Sequence, residues 1–234
     1  MRLDKFLSDM GVCSRADAKR AAKQGKITVD GSPALDASAH IDPEKASVSY
    51  FGERVEYKKF VYIMLNKPDG VLSATEDGAG KTVLDLLPEK YGKMGLFPCG
   101  RLDKNTLGLL ILTNDGQTAH ELLSPSKHVE KTYVFECENP LSESDVKMLE
   151  NGVDIGEKST TRPAKVELSG DTSGKITVVE GKFHQIKRMF SAVNNKITCL
   201  ERVSFGGVAL DSSLPRGAWR ELDENEINIL TKRK

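Results

Sequence analysis

Apolar residues along the chain follow spacings that predict a mixture of helices and strands. Between residues 2 and 10 they recur every three or four positions, which is helical spacing, and a second helix is predicted over residues 14–23, where Gly25 ends it. An unbroken apolar run at residues 107–112 is too short to span a membrane and is followed by turn residues at 114–116. We therefore expect a buried strand there.

The remaining pattern predicts more strands than helices, without regular alternation between them. Further strands are expected at 27–29, 48–51, 60–65, 133–137, 164–168, 175–179 and 197–205, and further helices at 117–123, 143–151, 185–193 and 224–230. This order is typical of an α+β protein with a mainly antiparallel sheet and flanking helices. The length of 234 residues suits two domains, and a polar linker at 56–59 places their boundary near Lys59.

Charge is balanced over the whole chain but not along it. Lysine plus arginine and aspartate plus glutamate each total 34, so no global positive field indicates a nucleic acid partner. Residues 1–30 nevertheless carry seven basic and four acidic side chains. The basic ones are Arg2, Lys5, Arg15, Lys19, Arg20, Lys23 and Lys26. On the predicted second helix they recur nearly every four residues, which suits either a phosphate backbone or an ordinary solvated face.

Several classes of function lack their signatures. The four cysteines form no CxxC pair and have no histidine at zinc-ligand spacing, and neither a Walker-type nor a dinucleotide-binding glycine loop occurs. We therefore expect no metal and no cofactor. No apolar signal segment or membrane-length run is present, so we expect a cytoplasmic protein with reduced thiols and no membrane partner.

The candidate nucleophile is Asp103, which lies in the segment GRLDKNTLGLLILTNDG between a glycine-led loop and the apolar run. Taken alone, this carboxylate could equally be a turn residue. The whole segment, however, closely resembles the signature of the RsuA group of pseudouridine synthases. LNKPDG, which begins at Leu65, also matches the group. The resemblance implies a pseudouridine synthase domain over about residues 60–231.

The N-terminal segment RLDKFLSDMGVCSRADAKRAAKQGKITVDG resembles an S4 RNA-binding domain, which would occupy about residues 1–58. Such domains are small RNA clamps. This resemblance favours RNA contacts for the basic residues of that segment. The candidates are Arg2, Lys5, Arg15, Lys19, Arg20 and Lys23.

The same resemblance implies roles for residues of the larger domain. Asp103 would be the catalytic carboxylate and Lys187, in EGKFHQIKRMF, its cationic partner. Tyr133 would stack on the flipped base and Ile186 would line the opposite side. Arg101 and Arg188 are candidate RNA contacts, with Arg101 also a possible second partner of Asp103. We give His184 only a structural hydrogen-bonding role.

The substrate is implied less strongly than the reaction. SPSKHVEKTY, ending at Tyr133, looks more like the small-subunit enzymes, which favours a uridine in 16S rRNA, presented in a small-subunit assembly intermediate to a monomeric enzyme. The alternatives are a 23S rRNA synthase of the same family and a noncatalytic S4-type assembly factor. A methyltransferase using Cys99 as nucleophile lacks a methyl-donor loop, and Cys99 is interpreted as core packing.

Overall fold

The computed structural model describes residues 1–232, and within them the chain forms two compact units. The first unit comprises Met1–Val61 and Leu84–Phe97. The second comprises Tyr62–Val83 and the described residues from Pro98 onward. The predicted boundary near Lys59 stays a prediction, but the sequence pattern gave no sign that residues 84–97 group with the first unit.

The first unit is built from three short helices and a four-stranded antiparallel sheet. In chain order its elements are α1 (Leu3–Asp9), α2 (Arg15–Lys23), β1 (Ile27–Val29), β2 (Ser32–Pro33), β3 (Val48–Tyr50), β4 (Glu53–Val55) and α3 (Glu89–Lys93). The sheet order is β2-β1-β3-β4. Ser14 is the N-cap of α2, since its hydroxyl accepts the Asp17 N–H at 3.1 Å, so the helix starts one residue after the predicted position. Leu3, Phe6 and Ile27 lie in the core of this unit.

The second unit is a long mixed sheet with helices. Its strands are β5 (Tyr62–Lys67), β6 (Phe97–Pro98, shared with the end of the first unit), β7 (Leu107–Thr113), β8 (Lys131–Cys137), β9 (Lys165–Gly170), β10 (Ser173–Val178), β11 (Ile197–Phe205), β12 (Val208–Ala209) and β13 (Trp219–Glu221). Its helices are α4 (Gly116–Leu123), α5 (Glu143–Asn151), α6 (Gln185–Ala192) and α7 (Glu224–Thr231). The α+β prediction is confirmed.

The sheet order is β13-β5-β7-β11-β8-β10-β9, with β12 beside β11 and β6 beside β7. Every pairing along this path is antiparallel except that of β7 with β11, which is parallel. All six residues of β5 and six of the seven in β7 are buried, which explains the unbroken apolar run in β7. The loop that carries Asp103 therefore leads directly into a strand fixed on both sides.

Helix α6 packs its apolar face against this sheet. Ile186, Met189 and Phe190 are buried, and the Phe190 ring meets Phe135 of β8 edge to face with centroids 4.8 Å apart. This packing fixes the orientation of α6, so that its first turn points toward the Asp103 loop. Among residues 1–232, no helix combines the length and apolar character that a bilayer span requires.

Candidate active site

Asp103 lies on a loop whose backbone is held from both sides. The buried ammonium of Lys67, at the end of β5, donates to the carbonyls of Lys104 at 2.9 Å, Thr106 at 3.0 Å and Pro68 at 3.0 Å. On the other side, the Ser73 hydroxyl donates to the Leu102 carbonyl at 2.9 Å and accepts its N–H at 3.1 Å. These contacts fix the peptide units on either side of Asp103.

Lys67 lies in the LNKPDG segment, and it was given no role of its own from the sequence. Its side chain is fully buried, and burial lowers its pKa from 10.5 to about 8, with the nearby Asp69 and Asp103 opposing that shift. Its three carbonyl acceptors match the three donors of an ammonium group. Only the unusual position of a lysine beside a buried apolar strand could have indicated this role.

The carboxylate of Asp103 is paired with the first turn of α6. Lys187 Nζ lies 2.7 Å from Asp103 Oδ2 and 2.6 Å from Asn105 Oδ1, so one ammonium joins the catalytic candidate to its own loop. The side chains of Asp103 and Lys187 are each 26% exposed, which leaves the pair accessible to a substrate. The structure thus brings together the two residues that the family resemblance paired, although they are 84 positions apart.

His184 also approaches the carboxylate, which the sequence analysis did not anticipate. Its Nε2 lies 3.5 Å from Asp103 Oδ1. The residue directly precedes α6 with a left-handed backbone, φ 48° and ψ 35°. It is therefore a second nitrogen-bearing side chain, besides Lys187, next to the Asp103 carboxylate.

A cleft of about 760 Å³ opens at Asp103 and contains the predicted base-binding residues. Tyr133 of β8 and Ile186 of α6 both line it, and they are 9% and 5% exposed. Tyr133 lies on the buried face of β8, where alternate residues are buried. The arrangement places an aromatic ring and an apolar side chain in the same cleft as an accessible carboxylate, which suits a flat ring held next to a nucleophile.

Two buried polar groups at this cleft have no hydrogen-bond partner within the described part of the chain. They are Thr106 Oγ1 and Arg202 Nη2, and both residues line the cleft. Arg202 is 2% exposed, donates through Nε to the Leu109 carbonyl at 2.8 Å and packs over the Phe205 ring. The floor of the cleft therefore carries a buried positive charge that the sequence analysis missed.

The two candidate RNA contacts of the second unit differ in how far their side chains are already bonded within the protein. Arg101 is exposed beside Asp103. Arg188 instead donates to Glu157 at 2.8 Å and to the Phe183 carbonyl at 3.0 Å, and it also binds the Ile155 carbonyl. Both of its terminal nitrogens are therefore engaged within the protein, and an RNA contact by Arg188 stays a prediction.

The six basic candidates in the first unit are all exposed. Three of them form ion pairs: Arg2 with the buried Asp4 at 2.7 Å, Lys5 with Asp9 at 2.5 Å, and Arg20 with Asp17. The other three, on α2, make no ion pair within residues 1–232. These are Arg15, Lys19 and Lys23. Of the six candidates, these three are therefore the ones left unpaired to meet phosphate.

Cys99 is unsuited to the alternative of thiol chemistry. Its side chain is fully buried, and burial raises the pKa of the thiol to about 11. A thiol in this state is neither accessible nor ionised near neutral pH. This supports its interpretation as core packing.

Comparison with known proteins agrees with the architecture. A family model described as RNA pseudouridylate synthase matches residues 61–192, and an S4 domain model matches residues 1–46. The uncharacterized RNA pseudouridine synthase YtzG of Bacillus subtilis is 48% identical, with 99% of each chain covered. Ribosomal small subunit pseudouridine synthase A of Escherichia coli is 40% identical over 97% of this chain and 98% of its own.

A solved structure shares the fold over nearly the whole length. The crystal structure of a pseudouridylate synthase, 36% identical, superposes with a TM-score of 0.70 over 99% of this chain and all of its own. The chain therefore belongs to the RNA pseudouridylate synthase family and carries that family's catalytic domain behind an N-terminal S4 domain.

Proposed function

We propose that this protein converts one uridine of 16S rRNA to pseudouridine, and that its substrate is a partly assembled small ribosomal subunit. As a family member the chain is an isomerase. The observation that carries the proposal is the Asp103–Lys187 ion pair of 2.7 Å at the mouth of a cleft lined by Tyr133. The small-subunit assignment is supported by the name and the 40% identity of the Escherichia coli relative.

The proposed reaction conserves every atom of the uridine. The bond from N1 of the base to the sugar breaks, the base turns, and C5 bonds to the same sugar carbon. C5 then releases a proton while N1 gains one. Because nothing is added or lost, the reaction needs no external energy source and no co-substrate. The protein must supply a carboxylate, a place for the base to turn, and proton transfer.

Asp103 is the proposed nucleophile. Its carboxylate either attacks the substrate or stabilises cationic character at the sugar, as carboxylates do in glycosidases. Lys187 and Asn105 orient the group, and the Lys67 ammonium fixes the backbone that carries it. These contacts hold Asp103 in place while leaving its carboxylate accessible from the cleft.

Access requires the uridine to leave its stack. We propose that the flipped base enters between Tyr133 and Ile186, because a base within an RNA helix cannot reach a carboxylate in a cleft. Arg101, exposed beside Asp103, binds a phosphate next to the flipped base, and the exposed charges on α2 independently bind phosphates of the rRNA. The protein is expected to act as a monomer in the cytoplasm.

Pseudouridine mapping tests the proposal. Small- and large-subunit rRNA, as naked transcripts and as assembly intermediates, are incubated with the protein and mapped at nucleotide resolution. A single new site in 16S rRNA, formed best in an assembly intermediate, is the expected result. A new site found only in 23S rRNA would indicate that the substrate is the large subunit instead. Binding without any site on either RNA would favour a noncatalytic assembly factor.

A further inference from the structure

Phe183 is displayed to solvent at the rim of the cleft. Its side chain is 68% exposed, more than any other large apolar side chain in residues 1–232. The ring stacks on His184 with centroids 3.8 Å apart and an angle of 21° between the planes. The His184 ring thus covers one face of the Phe183 ring, while much of the rest of Phe183 faces water. Such exposure is typical of a binding surface rather than of a core.

The loop that carries the stack is rigid. Gln185, only 6% exposed, accepts the Lys182 N–H through Oε1 at 2.9 Å and donates from Nε2 to Glu180 at 3.0 Å. From the other side, Arg188 holds the Phe183 carbonyl at 3.0 Å. The left-handed backbone of His184 is unfavourable for a residue with a Cβ, and these bonds maintain it. The exposed ring is therefore held in position before any ligand arrives.

The stack begins at the catalytic carboxylate. His184 Nε2 is 3.5 Å from Asp103 Oδ1, and both aromatic residues line the same cleft as Tyr133. Arg101 and Lys104, on either side of Asp103 in the chain, are exposed and positive. A flat ring beside exposed cations is the combination that proteins use for unstacked nucleotides, since the ring takes the base and the cations take the phosphates.

We propose that Phe183, supported by His184, is a stacking platform for the base next to the target uridine. This inference rests on the proposed function. When the uridine leaves its stack, a neighbouring base loses a partner on one face, and the free face of Phe183 can replace it. The platform binds an RNA base and does not take part in the chemistry at Asp103. It would hold the RNA open and contribute to the choice of site.

The test combines substitutions with RNA that lacks the neighbouring base. The probes are an rRNA fragment containing the mapped uridine and the same fragment with an abasic nucleotide directly before or after it. Phe183→Ala and Phe183→Leu should each weaken binding to intact RNA about tenfold, the scale of one lost base–aromatic stack, while Phe183→Tyr retains it. One abasic fragment should weaken wild-type binding equally and abolish the difference between wild type and Phe183→Ala.

Leu168→Ala is the matched control, because this leucine is also an exposed apolar side chain of the second unit, on β9. Leu168→Ala should bind the intact and the abasic fragments with the affinities of wild type. Unchanged binding by Phe183→Ala, or independent effects of the substitution and the abasic nucleotide, would overturn the platform. Full binding by Phe183→Leu would do so too, because it would indicate a merely apolar contact.

Pseudouridine formation by wild type on the intact fragment separates the two proposals. If pseudouridine forms but Phe183→Ala and wild type still differ in affinity for both abasic fragments, the platform is wrong and the proposed function stands. If wild type forms none on any rRNA, the proposed function fails and the platform fails with it.

Discussion

Gly108, near the start of β7, should be the position where a single added methyl group disturbs both stability and the site. Its φ is +93°, and an added Cβ would lie 2.3 Å from the Arg202 carbonyl oxygen on the parallel neighbour β11. The left-handed backbone costs a residue with a Cβ about 1–2 kcal/mol. Relieving the overlap requires β7 and β11 to separate, which adds about 1–3 kcal/mol, the usual cost of overpacking.

Gly108→Ala should therefore lower the free energy of unfolding by about 2–5 kcal/mol, the sum of these two terms. For a protein of this size that corresponds to a fall in Tm of roughly 4–20 °C. The measurement is thermal and urea unfolding followed by circular dichroism. Gly181→Ala is the control, because nothing lies within 4 Å of an added Cβ there.

The control should stay within about 0.5 kcal/mol of wild type, as surface substitutions usually do. Turnover by Gly108→Ala at a temperature where it remains folded should also fall, because the displaced strand moves the Asp103 loop away from Lys187. A loss of stability no larger than that of Gly181→Ala would refute the close approach of these two strands.

Three further outcomes follow from other contacts. Burial lowers the pKa of Lys67 from 10.5 to about 8, so the unfolded chain binds more protons between these values. The unfolding free energy of wild type relative to Lys67→Met should accordingly rise with pH across that window, by roughly 3 kcal/mol at most, and a difference independent of pH would contradict the burial argument. Burial opposes ionisation of Asp115, yet hydrogen bonds from Thr118 and Tyr62 outweigh it and lower the pKa of Asp115. Its stabilisation is present above the ordinary value of 3.8 and lost as pH falls further, so Asp115→Asn should be less stable at pH 7 and lose less stability on acidification. Lys19→Ala and Lys23→Ala should each reduce the slope of log affinity for rRNA against log salt by about one, and an unchanged slope would exclude phosphate contacts by α2.

Local pattern was enough to predict most elements of the fold. The ends of β11 and α5 agree with the expected ranges, and the α+β class is confirmed, because apolar spacing directly reflects which faces are buried. Spacing says nothing about which strands pair across long separations. The parallel contact of β7 with β11 and the grouping of residues 84–97 with the first unit were therefore not predicted.

At the candidate site, the family resemblance led us to expect that Asp103 and Lys187 lie together, but groups that long-range contacts bring there were missed. Asp103 and Lys187 were paired by family resemblance, and the structure places them 2.7 Å apart. His184, Lys67 and Arg202 gave no such signal. A lysine at the end of a strand, a histidine before a helix and an arginine in a strand look ordinary until the neighbouring backbone is known.

The proposed catalytic role of Asp103 is tested most directly by Asp103→Asn. The substitution keeps the size of the side chain, and Lys187 can still donate to the amide oxygen, so folding and rRNA binding should be retained. Turnover should fall by roughly three orders of magnitude or more, because an amide is neither a nucleophile nor a negative charge. The measurement is pseudouridine formation under single-turnover conditions on the mapped 16S rRNA substrate, with affinity and Tm determined in parallel. Loss of product with unchanged affinity and Tm is the predicted result, and turnover within tenfold of wild type would contradict Asp103 as the nucleophile.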